Sequence, residues 1–396
     1  METKNTGLRG IVVADTKISD VDGEHGRLIY RGFGIETLAT HSTFEETSYL
    51  LIHGELPNAQ QLEDFDKQLK AARPIPKEII AFLGQLPKNA LPMDVLQGSV
   101  PRLSAFDPDI QVESRAANIS RAIALTAKAA TVVAAWARIR QGLNPLDADS
   151  RLTHAANFLW MLNGKVPHED TAKNLDVCLI LHADHSFNAS TFAGRVVAST
   201  HAHMHASVTA AIGALSGELH GGANAKVMEM LLEIQKPDLV ADWVKTRLDR
   251  GEKIMGMGHA VYKTWDPRAK ILRRLSEALT KRENKYHWFE VTAKLEEVAR
   301  QEFDKRGKTY LYPNVDFYSA VAYHAMNIPA DLFTPVFSIA RMPGWTAHII
   351  EEKFGDAQGK PALYRPESQY TGRQCGDEGC SYTPLEERAK KKGSTP

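Results

Sequence analysis

Cysteine is scarce in this sequence: among 396 residues there are three, Cys178, Cys375 and Cys380. That is too few for a disulfide framework, and an odd count without an export signal points to a reducing compartment, the cytoplasm. An excess of charge of either sign is also missing, because Lys plus Arg and Asp plus Glu both number 48. No global field therefore draws the chain to nucleic acid or to an anionic membrane, and any anion site has to be a local cluster of cations. Nor is there an apolar run of the roughly 20 residues that a membrane span needs. The longest stretch, Ala122 to Ala137, contains Lys128 and is expected to be a buried core helix. The opening METKNTGLRG has neither the apolar centre of a signal peptide nor the composition of a transit peptide. Internal repeats and low-complexity segments are absent.

What is present is mostly helical patterning. The segment GIVVADTKISDVDGEHGRLIYRG has β-branched residues and turn signals at Asp22-Gly23 and Gly32-Phe33-Gly34, which predict a short β-hairpin or two. Beyond it, Ser42 with Glu45 and Asn58 with Gln61 are candidate capping boxes, and Pro74, Pro76, Pro87 and Pro92 separate short helices. Apolar residues then recur at three- and four-residue spacing from Ile119 to Ala137, Leu152 to Leu162, Ala172 to Leu181 and Ser190 to Leu215. Many of these positions are Ala, Gly, Ser or Thr, which allow close helix packing. The class is mainly α, and the length suggests two lobes with a cleft between them.

Three segments could carry chemistry. In LSGELHGGANAKVMEMLLEI, His220 precedes two glycines and a helix N-terminus, a setting that favours a neutral imidazole able to donate a hydrogen bond to an enolate. Alone, it reads more readily as a loop histidine in a capping contact. In IMGMGHAVYKTWDPRAKIL, His259 follows Gly256 and Gly258, and Arg268 lies beyond a turn at Asp266-Pro267, so imidazole and guanidinium could meet one oxygen-rich ligand. A surface turn is the plainer reading, and neither a P-loop nor a Rossmann spacing is present. In LYPNVDFYSAVAYHAM, Asp316 is either an N-terminal helix aspartate or a carboxylate base for a proton next to a carbonyl. Arg341 and Arg365, like Arg268, offer planar forks suited to carboxylates, although single arginines more often form surface ion pairs.

Two further clusters invite a metal reading and fall short of it. His201, His203 and His205 alternate, but on a helix only the first and last share a face, with no third ligand in view. CGDEGC holds Cys375 and Cys380 without a second cluster to complete a zinc site; a surface loop with two thiols is the simpler reading, and a disulfide or a metal stays open.

In order along the chain, DHSFNASTF, LHGGAN, MGMGHAVYK with DPR, PNVDFYS, ARMPGW and RPESQYTG resemble the citrate synthase family. The resemblance runs from about Gly7 to about Arg388. It implies a two-lobed, multi-helix subunit with a short N-terminal β segment, working as a homodimer. The large, dimer-forming lobe would comprise residues 1–224 and 331–396, and the small, coenzyme A-side lobe residues 225–330. The implied activity is condensation of acetyl-CoA with oxaloacetate and water to citrate and coenzyme A. Asp316 would take a proton from the acyl carbon, His220 would hydrogen-bond the thioester carbonyl, and His259 would polarise the keto group. His185, Arg268 and Arg341 would hold oxaloacetate, with Arg365 reaching in from the partner subunit. Lys253, Lys263 and Lys308 are implied as partners of the coenzyme A phosphates. No metal and no permanently bound cofactor are expected. The alternatives are 2-methylcitrate synthase, which uses propionyl-CoA through the same three catalytic residues, and a non-catalytic coenzyme A-binding relative. One departure is Ala260, where many bacterial relatives carry arginine.

Overall fold

In a computed structural model, residues 7–8, 10–373 and 380–388 are described. Cys375 and most of the final basic run lie outside the described residues. Strands among them are confined to the start of the chain: β1 (Ser19–Asp22), β2 (Arg27–Tyr30) and β3 (Phe33–Gly34) form one antiparallel sheet, with Ser19 opposite Tyr30 and Asp22 opposite Arg27, and an isolated bridge joins Met257 to Pro313. The expected hairpin is therefore present, extended by one short strand.

Sixteen α-helices follow among the described residues. The first five are α1 (Ile35–His41), α2 (Phe44–His53), α3 (Ala59–Ala71), α4 (Lys77–Gln85) and α5 (Pro92–Leu103). Asn58 and Gln61 close a reciprocal capping box on α3, as their spacing predicts. The box predicted at Ser42 does not form. Thr43 is the N-cap of α2, accepting from the Glu46 amide, while Ser42 ends α1. The predicted cap lay one residue too early because adjacent hydroxyl residues are equivalent in sequence, and only the end of the preceding helix tells them apart.

Next come α6 (Arg115–Ile139), α7 (His154–Asn163), α8 (Glu169–His182), α9 (Ala189–Ala198), α10 (Met204–Leu215) and α11 (Ala223–Ile234). Helix α6 is buried along most of its length, and Lys128 within it donates to the Ala72 carbonyl at 2.8 Å. The apolar pattern from Ser190 to Leu215 is divided between α9 and α10. His201 at the break takes a φ of 64°, and the His203 ring accepts from the Ala206 amide as the N-cap of α10. The three alternating histidines therefore do not ride on one helix. Among the described residues no group of three His, Cys, Asp or Glu side chains is arranged to hold a metal.

The chain continues through α12 (Val240–Asp249), α13 (Pro267–Arg282), α14 (Tyr286–Lys305), α15 (Val315–Ala325) and α16 (Phe333–Phe354). Helix α16 is buried from Phe333 to Lys353 and packs against α2, α5, α6, α8, α9 and α10, so it forms the axis of the core. Helices α12 to α15 pack largely on one another, and α13 also meets α1 and α8. Residues up to Leu363 form one compact unit and those from Tyr364 a second. Among the described residues of the second unit the one regular element is a short 3-10 turn at Leu385–Glu387.

Candidate active site

The starts of α11, α13 and α15, the two loops that carry His185 and His259, and the middle of α16 bring the candidate residues to a single cavity of about 860 Å³, lined by His185, His220, His259, Arg268, Asp316 and Arg341. These residues are separated by up to 156 positions in the chain, counting from 185 to 341.

His220 lies in the connection between α10 and α11. The turn behind it is tight: a Cβ on Gly221 would stand 2.4 Å from the Leu215 carbonyl oxygen, so only glycine fits. Ser190, at the start of α9, fixes the ring. Its backbone N–H donates to His220 Nε2 at 3.2 Å, and its hydroxyl lies 2.8 Å from the same nitrogen. Trp345 Nε1 in turn donates to the Ser190 hydroxyl oxygen at 3.1 Å. Because Nε2 accepts, the ring proton resides on Nδ1. Burial, helped by the charge of Arg341, pulls the His220 pKa down to about 4, so the ring is neutral near pH 7.

His259 is set by the opposite tautomer. The amides of Val261 and Tyr262 donate to its Nδ1 at 3.0 and 3.2 Å, which leaves the proton on Nε2. Burial, followed by the charge of Arg268, lowers its pKa to about 4. His185 is buried, and its Nε2 lies 3.2 Å from the Tyr262 hydroxyl, with the His259 ring 5.3 Å away and edge-on. Burial is also the main cause that holds His185 well below the usual histidine range.

Asp316 occupies the first turn of α15, where Asn314 rather than Asp316 is the N-cap. Its carboxyl is raised to about 7 by desolvation and by the neighbouring Asp266, against the pull of Arg268 and Arg341. A carboxyl poised near neutrality beside two neutral imidazoles is the pattern expected of a base and two electrophilic donors.

The two arginines differ. Arg268 is spent on Asp266 through a two-pronged ion pair with contacts of 3.0 and 2.7 Å, and Asp266 also caps α13 and accepts from the Val315 amide at 3.2 Å. Burial opposes ionisation of Asp266, but the charge and hydrogen bonds of Arg268 win and hold its carboxyl below the ordinary range. Arg341 donates through Nε to the His182 carbonyl at 2.6 Å, while its buried Nη1 has no protein partner. Arg341 as a residue lines the cavity, and a buried guanidinium with an unused donor has capacity for a carboxylate.

Of the remaining sequence candidates, the three lysines are elsewhere in the first unit. Arg365 is exposed in the second compact unit. Lys263 pairs with Glu24, Lys253 lines a separate groove beside Arg247 and Glu252, and Lys308 is exposed after α14. None of the three lysines lines the histidine cavity. Sequence reasoning passed over Ser190, Tyr262, Asp266 and Trp345, each of which orients a candidate residue. All four stand inside the motif segments, so the available signal was their position beside a candidate residue, not their type.

Comparison with known proteins bears on the family. A family model described as the citrate synthase C-terminal domain matches residues 7–367. A citrate synthase of Haloferax volcanii is 43% identical over 387 residues, covering 96% of this chain and 98% of its own. A 2-methylcitrate synthase of Mycobacterium tuberculosis is 39% identical, with 93% of this chain and 90% of its own covered. The solved structure of a citrate synthase from Thermoplasma acidophilum, in ternary complex with carboxymethyl coenzyme A and oxaloacetate, superposes with a TM-score of 0.88 at 29% identity, covering 98% of this chain and 100% of its own. Matched over nearly its whole length in sequence and in structure, this chain belongs to the citrate synthase family.

Proposed function

We propose that the protein condenses acetyl-CoA with oxaloacetate and water to give citrate and free coenzyme A. The observation that carries this reading is the meeting of one carboxyl held near pH 7 with two neutral imidazoles of opposite tautomer in one arginine-flanked cavity. Asp316 removes a proton from the acyl carbon, and His220 stabilises the enolate oxygen through Nδ1–H. His259 polarises the oxaloacetate keto group through Nε2–H. A neutral donor suits both tasks because it keeps its proton while negative charge develops on the partner oxygen. The enol carbon then attacks the keto carbon, and water hydrolyses the resulting thioester. His185, Arg268 and Arg341 hold the oxaloacetate carboxylates and keto acid in place. None of these steps asks for a metal or a permanently bound cofactor.

The finer reading follows the family. The subunit works as a cytoplasmic homodimer in the tricarboxylic acid cycle, with Arg365 of each subunit completing the site of the other. Residues 225–330 form a small lobe that carries the coenzyme A side, with Lys253, Lys263 and Lys308 near its phosphates, and residues 1–224 and 331–396 form the large lobe. The second reading, 2-methylcitrate synthesis from propionyl-CoA, is favoured by the 39% identity to the mycobacterial enzyme and needs the same catalytic residues. One methylene in an apolar pocket is worth only about 1–3 kcal/mol of discrimination.

Purified protein given oxaloacetate and acetyl-CoA is expected to release thiol. Silence with both acetyl- and propionyl-CoA would refute the enzymatic reading, and the ratio of kcat/KM for the two thioesters chooses between them. The shared site is checked by complementation. Subunits carrying Arg365→Ala and Asp316→Asn, each inactive alone, are expected to recover up to about a quarter of wild-type activity per site when mixed and reassembled, since random pairing makes half the dimers mixed and each mixed dimer keeps one intact site. No recovery in reassembled mixed dimers would place Arg365 in its own subunit's site, and an active Arg365→Ala subunit would place it outside the chemistry.

A further inference from the structure

The hairpin β1–β2 reaches both histidine-bearing loops, and it does so from its two ends. At the open end, the cross-strand partners Ser19 and Tyr30 seize the segment before His185. The Ser19 hydroxyl donates to the Asp184 carboxylate, and the Ser186 amide donates to Ser19 Oγ at 2.9 Å and to Asp184 Oδ2 at 3.0 Å. The Tyr30 hydroxyl donates to the Asp184 carbonyl at 2.8 Å. These bonds converge on a strained point, for Ser186 has a φ of 50°, in the left-handed region that a serine adopts only when its surroundings compel it. Ser19 and Asp184 are buried, so no solvent replaces the bonds when they are lost.

At the turn, the hairpin meets the loop that carries His259. The Lys263 amide donates to the Gly23 carbonyl at 3.0 Å. The approach is so close that a Cβ on Gly23 would stand 2.3 Å from the Val261 carbonyl oxygen. At Gly26, with a φ of 64°, a Cβ would stand 2.7 Å from the Trp265 carbonyl oxygen. Val261 is also one of the two residues whose amides set the His259 tautomer.

We propose that this hairpin is the positioning device that sets His185 and His259 relative to one another, Ser19 and Tyr30 holding the loop of the first and Gly23 and Gly26 the loop of the second. The inference rests on the reading that these two histidines face oxaloacetate. Ser19 and Gly23 themselves touch no reacting atom; they act through the loops.

The test replaces Ser19 by Ala, which deletes the hydroxyl and keeps the strand. KM for oxaloacetate is expected to rise about tenfold, as loss of one buried hydrogen bond at a strained loop implies. KM for acetyl-CoA stays within about twofold of wild type, and Ser19→Thr, which restores a hydroxyl, recovers most of the loss. A merely structural serine would lower the Tm and leave both constants alone, or shift both together, and either result overturns the proposal. Gly23→Ala is expected to depress kcat with oxaloacetate saturating, because the displaced Val261 no longer orients His259; should it yield no folded protein, Ser19→Ala decides. If the wild type releases no thiol, citrate synthesis is the reading that fails. The hairpin is then judged by amide exchange: faster exchange across residues 184–188 in Ser19→Ala upholds the grip, and unchanged exchange overturns it.

Discussion

Asp316→Asn is expected to lower kcat by at least about 10³-fold, the usual yield of a positioned general base, while leaving oxaloacetate binding in place. The same variant is expected to be more stable than wild type at pH 8. The fold raises the Asp316 pKa to about 7 from an ordinary 3.8, so it favours the neutral acid. The stability this contributes is complete below about pH 4 and is lost as pH rises through about 7, where the native protein has to ionise a desolvated carboxyl. Asparagine carries no such burden. Because the side chain opens on a cavity, the gain is expected to be on the order of 1 kcal/mol at pH 8, shrinking toward acid pH. Thermal melts at pH 8 and pH 5.5 measure it. A variant that turns over at near-normal rate, or melts lower at pH 8, refutes the assignment. In the wild type, kcat/KM is expected to rise with pH through about 7 as Asp316 ionises. His220 and His259, both near 4, stay neutral across that window and add no second limb.

Arg268→Gln carries the other large effect, and two causes have to be separated. Removing the guanidinium strands the buried Asp266 carboxylate, which is expected to cost about 3–5 kcal/mol of stability at pH 7. It also removes a carboxylate partner of oxaloacetate, for which a rise in KM of about 100-fold or more is expected. The double variant Asp266→Asn/Arg268→Gln distinguishes them, since neutralising the stranded acid is expected to restore most of the Tm and none of the oxaloacetate affinity. Recovery of both would make Arg268 a structural partner of Asp266 and nothing more. The buried Arg268 guanidinium is neutralised by Asp266 through two hydrogen bonds.

Local signals in the sequence are legible where they need no distant partner. The Asn58–Gln61 box, the prolines between α3, α4 and α5, and the apolar periodicity of α6 all depend on residues within a turn or two of one another. The failures share the opposite cause. Thr43 displaced Ser42 as a cap because α1 ends on Ser42, and the run from Ser190 to Leu215 broke at His201 because the chain turns back there on itself. The residues that orient the site were passed over for the same reason. Nothing local to Ser190 reveals that its amide meets a histidine 30 positions away, and nothing local to Ser19 reveals Asp184, 165 positions away.

The amino-acid sequence by itself determined the helical class, the presence but not the number of N-terminal hairpins and, through six motifs in order, the family and the choice of His185, His220, His259, Arg268, Asp316 and Arg341 as candidates. Tertiary structure alone decided what those residues are chemically. Which ring nitrogen carries the proton, which carboxyl sits near neutrality and which arginine has a donor to spare depend on burial and on hydrogen bonds between segments far apart in the chain, and such distances have no counterpart in residue order.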